Sequence, residues 1–108
     1  MSGTVGYSYQ GRVVPKPGME KDVERAMRAF SDWIATQPGL LRVHVMKDRT
    51  SGELVGMSFW KTKEDCDRMW AVAATSPEAR PHRQVLATAT QGPAESHEYE
   101  LLATRTPQ

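Results

Sequence analysis

A chain of 108 residues suits one domain, here residues 1–108, with one modest core, and its low hydrophobic content of 39% makes burial against a second copy plausible. The net charge of +1, with both signs interspersed, leaves no electrostatic footprint for nucleic acid or an anionic membrane, and no signal peptide or bilayer-length apolar run is evident. The lone Cys66 excludes an intrachain disulfide and fits a reducing compartment, so a soluble cytoplasmic protein is expected.

Met1–Gly6 reads as a loose start. Tyr7–Val14 is rich in β-formers and predicts the first strand. Pro15-Lys16-Pro17-Gly18 stops it, because proline donates no ladder hydrogen bond and glycine permits a sharp turn. From Met19 to Gln37 the residues Val23, Ala26, Met27, Phe30, Trp33 and Ile34 recur at helical spacing and form one apolar stripe. Pro38-Gly39 ends that helix. Two extended runs follow, Leu40–Lys47 and Glu53–Trp60, around the five turn-forming residues Asp48–Gly52, which predicts a β-hairpin.

Helical spacing begins again after Trp60. In Thr62-Lys63-Glu64-Asp65 a hydroxyl stands three residues before an acid, a variant of the capping box, and predicts a helix over Lys63–Ala74 with Cys66, Met69, Trp70 and Ala73 inward. Ser76-Pro77-Glu78 predicts a short helix over Pro77–Thr88, broken or kinked at Pro81. Gln91-Gly92-Pro93 is a loop, Glu95–Thr104 the last strand and Arg105–Gln108 a frayed tail. The ordered core therefore spans about residues 4–104. The order β-α-β-β-α-(α)-β predicts an α+β, ferredoxin-like fold, an antiparallel four-stranded sheet with helices on one face.

Alternation in the hairpin suggests a functional division, since successive strand side chains point to opposite faces. One face would carry Leu41, Val43, Val45, Val55, Met57 and Phe59. The other would carry Arg42, His44 and Met46 with Leu54, Gly56, Ser58 and Trp60. An exposed apolar sheet of that extent marks an interface, so Val43, Val45, Val55, Met57 and Phe59 are expected to meet a second copy in a homodimer. The mixed face would then lie beneath Met27, Phe30 and Trp70 as a pocket wall. The opposite orientation stays open at this point.

Pro17-Gly18 before the first helix, Gln37-Pro38-Gly39-Leu40 after it, and Phe59-Trp60-Lys61-Thr62-Lys63-Glu64 closing the third strand resemble the antibiotic biosynthesis monooxygenase (ABM) family of dimeric α+β barrels. The resemblance runs from about Thr4 to Thr104. It implies a face-to-face dimer with a pocket between sheet and helices, and an oxygenase acting on aromatic or polyketide-like molecules without metal or flavin. Trp60 falls where quinone-forming members place a pocket tryptophan, but their asparagine four residues earlier is Gly56 here. In the haem-degrading branch the nearest counterparts of the asparagine, tryptophan and histidine are Gln10, Trp70 and His82. Gln10 is not an asparagine, and the gap from Trp70 to His82 is longer than that branch has.

The candidate site residues are therefore His44 as base or hydrogen-bond donor to a phenol, helped by a pKa near neutrality, with Gln10, Arg42, Ser58, Trp60, Trp70 and His82 binding substrate. Each has a structural alternative: a hydrogen-bonded strand histidine, core tryptophans, and a surface His82 beside Pro81. Cys66 lies between Asp65 and Asp67, which raise a thiol pKa and argue against a nucleophile. His44, His82 and His97 are too scattered for a metal motif, so no metal is expected. Three functions remain: a cofactor-free monooxygenase for a small aromatic ligand, a haem-binding or haem-degrading dimer, and a non-catalytic small-ligand-binding dimer.

Overall fold

The computed structural model describes residues 6–107. Met1–Val5, most of the expected loose start, together with residue 4 where the ordered core was expected to begin, lie outside the described residues, as does Gln108. The elements run β1 (Gly6–Val13), α1 (Glu20–Ile34), β2 (Leu40–Lys47), β3 (Leu54–Trp60), α2 (Lys63–Ala73), α3 (Arg80–Thr88) and β4 (Glu95–Leu101). All sheet pairings are antiparallel in the order β2-β3-β1-β4, the ferredoxin-like arrangement the element order implies.

The helices start where their local chemistry predicts. Thr62 Oγ1 accepts the Asp65 amide at 3.1 Å and donates to the Asp65 carboxylate at 2.9 Å, which closes the cap of α2. For α1 no side chain caps the first turn, but Glu20 and Asp22 place negative charge at the positive end of its dipole. Helix α3 begins three residues later than Pro77. The Ser76 hydroxyl accepts the amides of Glu78 and Ala79 in a preceding turn, and Pro81 occupies the first helical turn, where its missing N–H leaves nothing unsatisfied. The kink expected at Pro81 is therefore absent.

The hairpin departs from expectation by one residue, and the consequence is large. Asp48 N–H bonds to Glu53 O at 2.8 Å and Gly52 N–H returns to Asp48 O at 2.8 Å, so four residues, Arg49–Gly52, make the loop instead of five. Asp48 Oδ1 accepts the amides of Thr50 and Ser51, and Gly52 supplies the positive φ of 79° that closes the turn. Because the side-chain period is two, the one-residue change turns β2 over relative to β3. Val43 pairs with Ser58 and Val45 with Gly56, whereas Arg42, His44 and Met46 pair with Phe59, Met57 and Val55. A bulge at Leu41 then restores Leu40 opposite Trp60.

The helices cover the face that carries Leu54, Gly56, Ser58 and Trp60, as the pocket argument requires. That face also receives Val43 and Val45, which leave the outer apolar set. Two buried clusters stand on it. One gathers Phe30, Ile34, Trp60, Cys66, Met69, Ala73 and Ala79, and the other Val13, Val23, Met27, Leu54 and Ala89.

Candidate functional site

Between sheet and helices lies a cavity of about 600 Å³ that takes walls from both clusters. Tyr9, Gly11, Val43, Val45, Gly56 and Ser58 form its floor on the sheet; Met27, Phe30 and Ile34 of α1, Trp70 of α2, and Arg83 and Leu86 of α3 close over it. The floor residues of β1 follow from alternation, since Tyr7, Tyr9, Gly11 and Val13 pair with Trp60, Ser58, Gly56 and Leu54 on the helix-facing side. Tyr9 meets Trp70 edge to face at 5.3 Å between ring centroids, and Phe30 lies 5.8 Å from Trp70 in a tilted arrangement. Aromatic rings thus frame one end of the chamber.

Most polar groups here are committed. Tyr9 donates its hydroxyl to Ser96 Oγ at 2.8 Å, Ser31 to the Arg28 carbonyl and Thr90 to the Leu86 carbonyl. Three are not. Ser58 Oγ accepts the Trp60 indole N–H at 2.8 Å, which leaves its own proton free to donate. The Trp70 Nε1–H is buried without a hydrogen-bond partner among the described residues. It leans toward the Cys66 thiol one turn back; burial pushes that thiol up to about 11, Asp67 adds to the rise, and Trp70 opposes it. Arg83 forms no ion pair among the described residues. Its guanidinium carbon stands 5.8 Å from the Trp70 ring centroid, and Nη1 makes one long contact, 3.4 Å, to the Ala73 carbonyl. No carboxylate lines the cavity among the described residues. The chamber can therefore hold a flat apolar body and one anionic oxygen.

Of the residues proposed from sequence, the fold brings Ser58 and Trp70 to the cavity and not the others. Trp60 faces the helices as expected but is 0% exposed, packed into the core beyond the cavity wall. His44 and Arg42 are on the outer sheet face because β2 is turned over. Arg42 lies 4.3 Å above the Phe59 ring centroid and His44 meets the same ring edge-on at 6.0 Å, both exposed to solvent. The role of His44 as a pocket base is corrected accordingly. Gln10 is also on the outer face, opposite Met57 and His97, where Tyr99 reaches it at 3.4 Å. His82 is half-buried on α3 and does not line the cavity.

Sequence reasoning missed Tyr9, Gly11 and Arg83. Alternation in the first strand would have placed Tyr9 and Gly11 with Ser58 once the β1–β3 register was known. Arg83, three residues before Leu86 on the same helix face, carried only a weak signal, one cation on an apolar stripe.

A four-stranded antiparallel sheet whose helices roof a chamber with aromatic walls and Arg83 at its rim defines a ferredoxin-like α+β protein. The chain belongs to the ABM family. The sequence profile of that family, described as antibiotic biosynthesis monooxygenase, matches residues 7–69, more than half of the chain. No curated protein matches the sequence. Among solved structures, the fold is similar to Rv0793 from Mycobacterium tuberculosis, with a TM-score of 0.79, 15% identity and coverage of 94% of this chain and 99% of that one. PA3566 from Pseudomonas aeruginosa gives 0.77 at 15% identity, covering 95% and 100%. A variant of SnoaB, a cofactor-independent oxygenase from Streptomyces nogalater, gives 0.69 at 20% identity, covering 94% and 95%. At these identities the likeness is one of fold.

Proposed function

We propose that the protein is a cofactor-independent monooxygenase-like enzyme that oxidises a phenolic or polyketide-like aromatic molecule in this chamber, and that it works as a homodimer. The observation that carries the reading is Arg83, which forms no ion pair among the described residues, beside a mostly apolar cavity of about 600 Å³, a volume suited to a ligand of small-molecule size. Arg83 is exposed to solvent at the rim, and a cation at the mouth of a largely apolar chamber favours the ionised form of a bound phenol or anthrone; the electron-rich anion is what reduces dioxygen. The SnoaB resemblance points the same way, toward oxygen chemistry by substrate and protein alone.

For an anthrone-type substrate the balance is complete. The ring CH₂ loses a proton to water, and the anion gives one electron to dioxygen. The substrate radical and superoxide then join in a C–O bond, and the peroxide takes back a proton. Loss of water leaves a quinone carbonyl, so one substrate and one O₂ give one quinone and one water. Arg83 holds the anion, Ser58 donates to a second oxygen, and Tyr9, Phe30 and Trp70 orient the rings. Haem fits these walls poorly, because among the described residues neither histidine nor cysteine lines the cavity and His82 stands outside it.

Oxygen uptake with a panel of hydroxynaphthalenes and anthrones tests this. Arg83→Gln is expected to lower kcat/KM about tenfold or more, as loss of a charge-assisted contact does, with the far-ultraviolet dichroism unchanged. Equal uptake by both proteins would remove Arg83 from the mechanism. Binding without uptake would identify a non-catalytic binder, and a Soret shift on adding haemin would revive the haem reading.

The dimer reading uses the outer sheet face as the register composes it, Met57 and Phe59 with Arg42, His44 and Met46; Val55 shares that face but is already buried within the single chain, at 5% exposure. Val43 and Val45 are excluded from it by the turned strand. Met57→Glu, a charge at the centre of that face, is expected to halve the mass in sedimentation equilibrium without unfolding the chain. A wild type that sediments as a single chain would remove the pairing altogether.

A further inference from the structure

The residues that line the cavity are not equally reachable from solvent. Five of them are exposed, Arg83 and Ala87 on α3 and Gly92, Pro93 and Ala94 on the connection from α3 to β4, while the rest are half-buried or buried. Arg83 and Ala87 stand one turn apart on the same face of α3. The chamber therefore opens between that face and the 92–94 connection, beside β4, whose residues 95–100 are all exposed. Apart from Arg83, the residues at this opening are small. The Arg83 side chain is itself tethered there only by the 3.4 Å contact to the Ala73 carbonyl.

The connection is held at both ends and free between them. On its first side Thr90 bridges Pro15, and the Thr90 hydroxyl donates to the Leu86 carbonyl at 2.6 Å. Gln91 is fixed twice, its amide to the Val14 carbonyl at 2.7 Å and its side-chain amide to the Pro15 carbonyl at 3.0 Å. On the other side Glu95 pairs with Arg12 in the β1–β4 ladder. Beyond that ladder, Gly92, Pro93 and Ala94 make no hydrogen bond among the described residues. Gly92 begins the free stretch at a φ of 70°, with nothing within 4 Å of an added Cβ. Exposed backbone, no buried side chain and a glycine at the pivot are the marks of low local stability.

We propose that the 92–94 strap is the gate of the chamber: ligand enters and leaves between it and the Arg83–Ala87 face of α3, and Gly92 is the hinge. This rests on the reading of the chamber as a small-molecule site and adds to it the route and the control of exchange. The mouth is open while Gly92 is left-handed, and it closes as the strap swings toward α3 with Gly92 in the ordinary φ range. Pro93, whose ring fixes its own φ, makes the strap move as a stiff piece. Entry and exit pass the same opening, so the gate scales both rates by one factor and leaves the affinity unchanged.

The test is stopped-flow mixing with 8-anilinonaphthalene-1-sulfonate, an anionic aromatic probe whose emission rises on leaving water, in wild type, Pro93→Gly and Gly92→Ala. Pro93→Gly frees the strap and is expected to raise the association and dissociation rate constants together, about threefold or more. Gly92→Ala disfavours the left-handed conformation and is expected to lower both, again about threefold or more. In each variant Kd should stay within about twofold of wild type, as a gate requires. Rate constants unchanged in both variants, or unequal changes in the two constants, would overturn the gate while leaving the chamber as a ligand site. A wild type without saturable one-to-one binding, or binding that Arg83→Gln does not weaken, would overturn the chamber reading and the gate with it. Should Gly92→Ala lower the melting temperature, Pro93→Gly, at an exposed position outside the ladder, decides alone.

Discussion

Trp60→Ala is expected to lower the unfolding free energy by about 3–5 kcal/mol, the range for removing a large aromatic from a close-packed interior. Trp60 is the largest fully buried side chain, at 0% exposure, and packs in the cluster with Phe30, Ile34, Cys66 and Met69. Truncation removes its apolar area, leaves a cavity the β-sheet cannot collapse, and takes from Ser58 Oγ its indole donor. Trp60→Phe separates these terms, since it keeps most of the packing and loses the 2.8 Å hydrogen bond, a loss of about 1 kcal/mol. Urea denaturation followed by circular dichroism reads both. Trp70 provides the contrast, because it is half-buried and lines the cavity. Trp70→Ala should spare more of the stability and cost more of the ligand affinity. A Trp60→Ala variant within about 1 kcal/mol of wild type would mean that the core does not depend on this residue.

The contrast between the two tryptophans shows where sequence reasoning reached and where it stopped. Element order, the α1 stripe, the Thr62 cap and the helix-facing side of β3 are all local properties, each set by residues within a few positions of one another. They were legible. Which face of β2 joins the helix side of β3 is not a local property, because it depends on whether the hairpin loop has four residues or five. Asp48 and Glu53 are both plausible as loop or strand. What decides between them is the pair of backbone bonds that Asp48 makes to Glu53 and Gly52. That one choice moved His44 and Arg42 out of the chamber and brought Val43 and Val45 into it.

The site itself was half visible for a related reason. Ser58 and Trp70 follow from alternation and helical period, whereas Arg83 gains meaning only when α3 is laid over the sheet and its charge is found without a carboxylate among the described residues. By resemblance to the family, Gly56 stands where quinone-forming members carry an asparagine. In the fold it faces Gly11, a residue no motif singles out, and the tip of the Met27 side chain packs over it.

Gly39→Ala should be the most damaging of the single-methyl additions, at about 3–4 kcal/mol. Gly39 follows the first helix with a φ of +86°, which costs an L-residue about 1–2 kcal/mol before any contact is considered. A Cβ there would also overlap the Asp65 side chain, standing only 2.6 Å from its Cβ and closer still to its carboxyl group. Overpacking of that kind adds about 1–3 kcal/mol. Asp65 has little freedom to withdraw, for its carboxylate takes the Thr62 hydroxyl at 2.9 Å and the Arg68 guanidinium at 2.8 Å, partners that also hold its pKa below the ordinary value. The backbone cannot swing away either, because Gly39 O accepts the Lys61 amide at 2.9 Å and so ties the loop to the end of β3. Gly18 and Gly52 provide the controls. Both have positive φ, 85° and 79°, with nothing within 4 Å of an added Cβ, so alanine at either should cost only the backbone strain of about 1–2 kcal/mol. Combining Gly39→Ala with Asp65→Ala removes the carboxyl half of the clash. In thermal or urea denaturation the double variant should lose less than the sum of the two single losses, by about 1 kcal/mol or more. Strict additivity, or a Gly39→Ala loss no greater than that at Gly18, would show that the loop relaxes and that contact with α2 does not fix its path.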